Sequence, residues 1–137
     1  MAVFYADASA LVKLLREEAE SGALRAYFEG ADLVSSELAL AEIPRAVRRA
    51  AADDLALPLD LLLERASELV DAVALRPLDR ALLAGAGALA EPALRALDAI
   101  HVLSAVDLAP IQAFVTYDER QAAAARLAGL RTMAPGA

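Results

Sequence analysis

The 137-residue sequence contains no cysteine, no tryptophan, one histidine, six glycines and six prolines. Without cysteine there is no disulfide framework, no thiolate metal site and no cysteine nucleophile. No uncharged run exceeds ten residues, the length reached at 81–90 and 108–117. A membrane-spanning helix needs roughly 20 apolar residues, so none is expected. The first residues carry neither a basic stretch nor the small-residue cleavage site of a secretory signal. These absences lead to the expectation of a cytoplasmic protein with no membrane association. Positive charge is also short, with 13 Lys and Arg against 20 Asp and Glu and a formal net charge of −7. That balance argues against bulk electrostatic attraction to nucleic acid. A carboxylate cluster that holds divalent cations, however, counts as negative here and presents a far less negative surface once loaded. Aromatic residues make up 4% of the chain, and no basic stripe interleaves with them. Base stacking is therefore not expected.

What the chain has in abundance is alanine, 36 of its 137 residues. Alanine favours helices and fills small spaces in a core. The length suits a single domain, 1–137, with a buried core. Short apolar runs read as strands at 3–6, 32–35, 71–75, 112–117 and 131–134. Between them lie segments of helical spacing at 8–18, 21–29, 37–52, 59–70, 79–90, 98–108 and 119–128. Candidate stops are Gly30, Glu91-Pro92 and Gly129, and Ser36 is a candidate cap. Strands alternating with helices imply an α/β fold, with a parallel sheet covered by helices on both faces.

In such open sheets, ligands bind beyond the carboxyl ends of the strands. Asp7 and Asp118 both follow predicted strands and precede predicted helices. The ordinary reading of each is a helix cap, and the chemical reading is a metal-binding carboxylate at the sheet edge. Asp98 sits among apolar neighbours in Leu97-Asp98-Ala99-Ile100, where a charge needs a partner or a capping role. Glu42 is the sole acid between Leu38 and Ala52 and shares a helix face with Arg45 and Arg49. It reads either as a solvated residue bridged to Arg45 or as a fourth member of an acidic site. Four carboxylates without cysteine suit Mg²⁺ or Mn²⁺, hard ions that prefer oxygen. His101, a lone histidine at helical spacing, reads as a structural hydrogen-bonding residue.

The order of these motifs resembles the PIN-domain ribonucleases and, among them, the VapC-type toxins of bacterial toxin–antitoxin pairs. The residues that carry the resemblance are Tyr5-Ala6-Asp7-Ala8-Ser9, Ser36-Glu37-Leu38-Ala39-Leu40-Ala41-Glu42 with Arg45, Leu97-Asp98-Ala99-Ile100-His101, and Phe114-Val115-Thr116-Tyr117-Asp118. Together they span essentially the whole chain. The resemblance implies a PIN-like three-layer α/β/α sandwich with a five-stranded parallel sheet. It implies an acidic site of Asp7, Glu42, Asp98 and Asp118, with Ser9 and Thr116 in support. It further implies endonucleolytic cleavage of RNA with Mg²⁺ or Mn²⁺, products with a 5′-phosphate and a 3′-hydroxyl, a homodimer, and a VapB-type antitoxin partner. Asp7, Asp98 and Asp118 would be the metal ligands, and Glu42 would orient water or complete a second metal site. Lys13, Arg45, Arg49 and Arg120 lie within about a turn of the acidic motifs and are candidates for phosphate binding. The faces carrying Leu11, Leu14 and Leu15, and Leu24, Tyr27 and Phe28, offer either an antitoxin surface or core packing. Pro44 departs from the family's pattern and predicts a kink or a new helical segment beside Glu42.

Three rival readings fit less well. A phosphoacceptor receiver domain would place an acidic pair after the first strand and a lysine after the fifth, and a haloacid-dehalogenase phosphatase would place Asp-x-Asp after the first. Asp7-Ala8-Ser9 provides neither acidic arrangement. A PIN-like module that binds RNA or a partner without cutting is the serious alternative.

Overall fold

A computed structural model describes residues 2–137. Its sheet has five parallel strands: β1 (Val3–Ala6), β2 (Asp32–Ser36), β3 (Ala74–Arg76), β4 (Ala113–Val115) and β5 (Thr132–Met133). The spatial order is β3-β2-β1-β4-β5. Seven helices connect them: α1 (Ala8–Lys13), α2 (Ser21–Phe28), α3 (Ala39–Asp53), α4 (Leu59–Asp71), α5 (Arg80–Gly87), α6 (Ala96–Asp107) and α7 (Glu119–Leu127). This is the expected three-layer α/β/α sandwich.

The layers follow from the two-residue period of the central strands. Phe4, Ala6, Ala113 and Val115 face one side, where they pack with Leu11, Leu24, Phe28 and Ile43 of α1, α2 and α3. Tyr5 and Phe114 face the other and meet Val102, Ala105, Ala124 and Ala125 of α6 and α7. Small alanines on α6 and α7 let those helices lie close to the sheet. Leu82 and Ala86 of α5 pack with Ala99 and Ile100 of α6 to extend that layer. No helix among the described residues is long and apolar enough to cross a membrane.

Several boundaries differ from the sequence expectation for local reasons. The first helix stops at Lys13 rather than near Glu18. The buried Ser21 hydroxyl ties off the turn that follows, its one proton shared between the carbonyls of Lys13 and Arg16 while its oxygen accepts from the Glu18 amide. Helix α3 runs through Pro44 without a break. Pro44 lies in its second turn, so the proline frees only the Leu40 carbonyl, and Leu40 is half exposed, within reach of water. The apolar faces of α1 and α2 are spent on the core: Leu11, Leu24 and Phe28 are buried, and Leu14, Leu15 and Tyr27 pack against them.

The strand order places the site. The chain leaves β1 toward β2 on one side, and β4 later fills the place on its other side. The carboxyl ends of β1 and β4 thus flank the switch point of the sheet, where a crevice opens. Ala6 pairs with Val115, and the Asp7 amide donates to the Val115 carbonyl at 3.2 Å.

Candidate active site

Asp7 sits at this switch point, 4% exposed. It caps α1, as the ordinary reading expected, with Oδ1 accepting from the Ala10 amide at 3.0 Å. The same oxygen accepts from the Ser9 hydroxyl at 2.6 Å. Its Oδ2 accepts from the Thr116 hydroxyl and from the Gln121 amide Nε2, the latter at 3.0 Å. Four donors thus surround a carboxylate with about four acceptor positions. Burial still pushes the Asp7 carboxyl above the usual range, against the opposing pull of Ser9, Thr116, the nearby His101 and the Ala10 amide. The desolvation cost outweighs the hydrogen bonds, which leaves a site where a cation lowers the energy of the charged form.

Ser9 and Thr116 form one bracket around Asp7. Ser9 Oγ also accepts from the Tyr117 amide at 3.0 Å, and Thr116 Oγ1 accepts from the Asp118 amide at 3.1 Å. The loop after β4 is thereby fastened to the start of α1. Asp118 caps α7 through the amides of Arg120 and Gln121. Asp98 does not cap α6, whose cap position is Arg95, but sits in the first turn. Burial pushes the Asp98 carboxyl up, and the neighbouring Asp118 charge pushes it further, while Arg120, His101 and Arg95 oppose the rise. Two carboxylates that repel across a cleft gain from a shared cation.

Glu42 makes no ion pair with Arg45. It turns inward, and its Oε1 meets His101 Nε2 at 2.6 Å. Glu42 also lines an open groove of about 670 Å³ with Ser9, Val12, Leu38, Arg45 and Arg49. Arg45 and Arg49 are exposed and form no salt bridge among the described residues. Lys13 reaches the same groove, but its Nζ is held by Glu18 at 2.8 Å and Glu20 at 2.9 Å and lies over the Tyr117 ring. Its charge is largely answered within the chain. Arg120 is exposed on α7, its charge acting on Asp98.

The oxygens available are those of carboxylates and hydroxyls, which fits a hard divalent cation by chemistry. Among the described residues, no three Asp, Glu or His side chains already converge around one cation position. The structure gathers Asp7, Ser9 and Thr116 directly, and Asp98 feels the charge of Asp118. The fold joins Glu42 to the group through the contact with His101.

Gln121 escaped the sequence reading. It stands three residues after the capping Asp118, the spacing of a capping box, and that is the signal it left. Its side chain does not return to the cap but reaches Asp7, 114 positions away. Gln121 is 2% exposed. Gln121→Leu therefore leaves a buried carboxylate one donor short and is expected to cost about 1–3 kcal/mol at neutral pH. Urea unfolding reads this. The deficit should shrink as pH falls and Asp7 takes up a proton; an unchanged stability at pH 7 would mean that the contact contributes nothing.

Comparison with known proteins points the same way. Residues 4–127 match the PIN domain family. Ribonuclease VapC35 of Mycobacterium tuberculosis (strain ATCC 25618 / H37Rv) is 36% identical over 140 residues, covering 98% of each chain. Ribonuclease VapC46 of the same strain is 40% identical over 147 residues, covering 98% of this chain and 99% of its own. Ribonuclease VapC47 of Mycobacterium tuberculosis (strain CDC 1551 / Oshkosh) is 35% identical over 141 residues, covering 98% of each chain. With a parallel sheet that brings the ordered acidic motifs to one edge and a family match over nearly its full length, this chain belongs to the PIN domain family.

Proposed function

We propose that the protein is a metal-dependent endoribonuclease and the toxin of a toxin–antitoxin pair, working in the cytoplasm. The observation that carries this reading is the buried Asp7 at the switch point between β1 and β4, with Asp118 capping the helix that follows β4 and Glu42 hydrogen-bonded to His101. The names of the relatives, ribonucleases of the VapC series, support the activity class.

Asp7, Asp98 and Asp118 would hold Mg²⁺ or Mn²⁺. When bound, such an ion supplies positive charge to the scissile phosphate and makes water more acidic. The chain's own residues do the rest. Ser9, Thr116 and Gln121 fix the Asp7 carboxylate from three directions. Glu42 accepts a hydrogen bond from the attacking water and orders it. Arg45 and Arg49 on the groove, and Arg120 beside Asp98, take the flanking phosphates of the RNA. Lys13, held by Glu18 and Glu20, shapes the groove instead of meeting phosphate.

A VapB-type antitoxin would use that same groove. Val12, Leu38, Ala46 and Leu97 give it apolar walls, Leu97 being half exposed, while the faces of α1 and α2 are already buried. An apolar segment laid there covers Glu42 and shuts off the acids. A homodimer completes the proposal, and light scattering on the purified protein reads its mass.

The test is incubation of purified protein with long single-stranded RNA. Cleavage is expected with Mg²⁺ or Mn²⁺, and its loss is expected with EDTA. Cleavage that persists in EDTA would overturn the metal dependence. RNA binding without cleavage at any metal concentration would favour the non-cutting module instead.

A further inference from the structure

The single histidine connects the acidic site to the interior of the sheet. His101 is 2% exposed, and both ring nitrogens are engaged. Nε2 meets Glu42 Oε1 at 2.6 Å, and Nδ1 meets the Tyr5 hydroxyl at 2.7 Å. A carboxylate can only accept, so the proton at the Glu42 contact belongs to Nε2. The proton on the other side follows from Tyr5. Its phenol is fully buried, and a phenol keeps its proton at neutral pH. In the neutral ring with Nε2 protonated, Nδ1 is the acceptor for that hydroxyl.

The orientation is secured from behind. The Tyr5 ring stacks on Phe114, with centroids 5.0 Å apart and planes 12° from parallel, and its edge abuts the imidazole. Ser35 and Ser104 lie against the phenol and partly offset the effect of burial. Ser35 spends its proton on the Ala6 carbonyl at 2.6 Å. Ser104 Oγ is buried with no hydrogen-bond partner among the described residues. Tyr5 lies in β1 on the side that α6 covers, and Asp7 follows the last residue of that strand. The same stretch of chain therefore carries the central acid and the hydroxyl that orients the imidazole. Glu42, by contrast, comes from α3, and its side chain is 24% exposed at the rim of the groove. A glutamate at such a rim has many rotamers, and the His101 contact selects one.

We propose that His101 is a positioning residue: Tyr5 holds its imidazole as the Nε2–H tautomer, and that N–H fixes the Glu42 carboxylate at the edge of the acidic cleft. The catalytic arm of this proposal rests on the ribonuclease reading; the tautomer does not.

Because the chain has one histidine, long-range ¹H–¹⁵N correlation spectra of the metal-free protein at neutral pH report on it without ambiguity. The expected spectrum shows one protonated nitrogen, Nε2, and a population of both tautomers in Tyr5→Phe. An Nδ1–H or doubly protonated ring in the wild type would overturn the proposal. The second arm is a double-mutant cycle on RNA cleavage with Glu42→Gln. His101→Leu is expected to lower kcat by about 10–100-fold with little change in KM, the range typical of groups that orient a site. His101→Gln, which keeps an N–H near the Nε2 position, should recover most of that loss. In the Glu42→Gln background His101→Leu should cost nothing further. Equal losses in both backgrounds would overturn the positioning role. If His101→Leu does not fold, His101→Gln and Tyr5→Phe run the same cycle. A wild-type protein that cuts no RNA sinks the ribonuclease reading, and the spectra then decide the His101 contact alone.

Discussion

Asp7→Asn is expected to lower RNA cleavage on the order of 10³-fold or more, the scale for removing a group central to transition-state charge stabilisation. The same substitution should leave the fold intact. Asparagine keeps the shape of the side chain and its capping oxygen toward Ala10 and Ser9. On the other side the Thr116 hydroxyl can rotate and the Gln121 amide can turn over, each then accepting from the new amide. The charge is what changes. Because burial raises the Asp7 carboxyl above its unfolded value of 3.8, the native state binds this proton more tightly than the unfolded chain does. Stability from this group is thus present at low pH and declines as pH rises from the unfolded value through the raised native one. The metal-free wild type should lose stability over that window. Asp7→Asn should lack that slope and equal or exceed the wild type in melting temperature at pH 7.5. Metal reverses the order. At about ten times its dissociation constant, Mn²⁺ should stabilise the wild type by ~1.4 kcal/mol, or roughly 5 °C in Tm. The gain should be smaller at pH 5, where protons compete for Asp7. The Asp7→Asn protein should show no such shift. Differential scanning calorimetry at both pH values, with and without Mn²⁺, separates these outcomes; equal stabilisation of the two proteins would remove Asp7 from the metal site.

Such a test was legible in the sequence because Asp7 and Asp118 each follow an apolar run and open a helix, a pattern that marks the carboxyl edge of a parallel sheet. The capping explanation weighed against them holds, since each carboxylate accepts from the first amides of its helix. Less local features could not be read. The contact of Glu42 with His101 joins positions 59 apart, and that of Gln121 with Asp7 joins positions 114 apart. Both depend on how the strands and helices are ordered in space, a choice that no spacing along the chain encodes. Helix spacing leaves Glu42 either bridged to Arg45, one turn on, or in the acidic site. The fold offers it instead a buried imidazole from α6, which competes better than a solvated guanidinium. The apolar residues of α1 and α2 invited a docking surface for the opposite reason. Their pattern is that of any crossover helix that must cover one face of the sheet, and here they do cover it.

The side of the sheet that holds the imidazole leans on few large residues, and this sets the second large effect. Phe114 is fully buried at the centre of β4 and is one of three phenylalanines in a chain without tryptophan. Around it α6 and α7 contribute mostly small side chains, Ala105, Ala124 and Ala125, with Val102. Alanines on rigid helices have no rotamers with which to fill a vacated ring volume, so the cavity left by Phe114→Ala should persist. The expected cost is about 3–5 kcal/mol, or a fall in Tm of roughly 10–20 °C for a chain of this length. Phe114→Leu, which keeps most of the volume, should lose much less, and Leu127→Ala, at a position 72% exposed, should stay within about 0.5 kcal/mol. A Phe114→Ala loss no larger than that of Leu127→Ala would mean that the helices close onto the sheet and that the packing is not the limiting contact. The consequence reaches the site through one ring. Tyr5 is stacked on Phe114 and holds His101. With the stack gone, the phenol gains freedom in the cavity, and the imidazole loses the fixed acceptor geometry that aims its N–H at Glu42. Phe114→Ala should therefore cut RNA more slowly than Phe114→Leu even well below its own melting temperature, where both are folded. That residual difference, measured at equal folded fraction, separates a core residue that only stabilises the domain from one that also keeps the acidic edge in register.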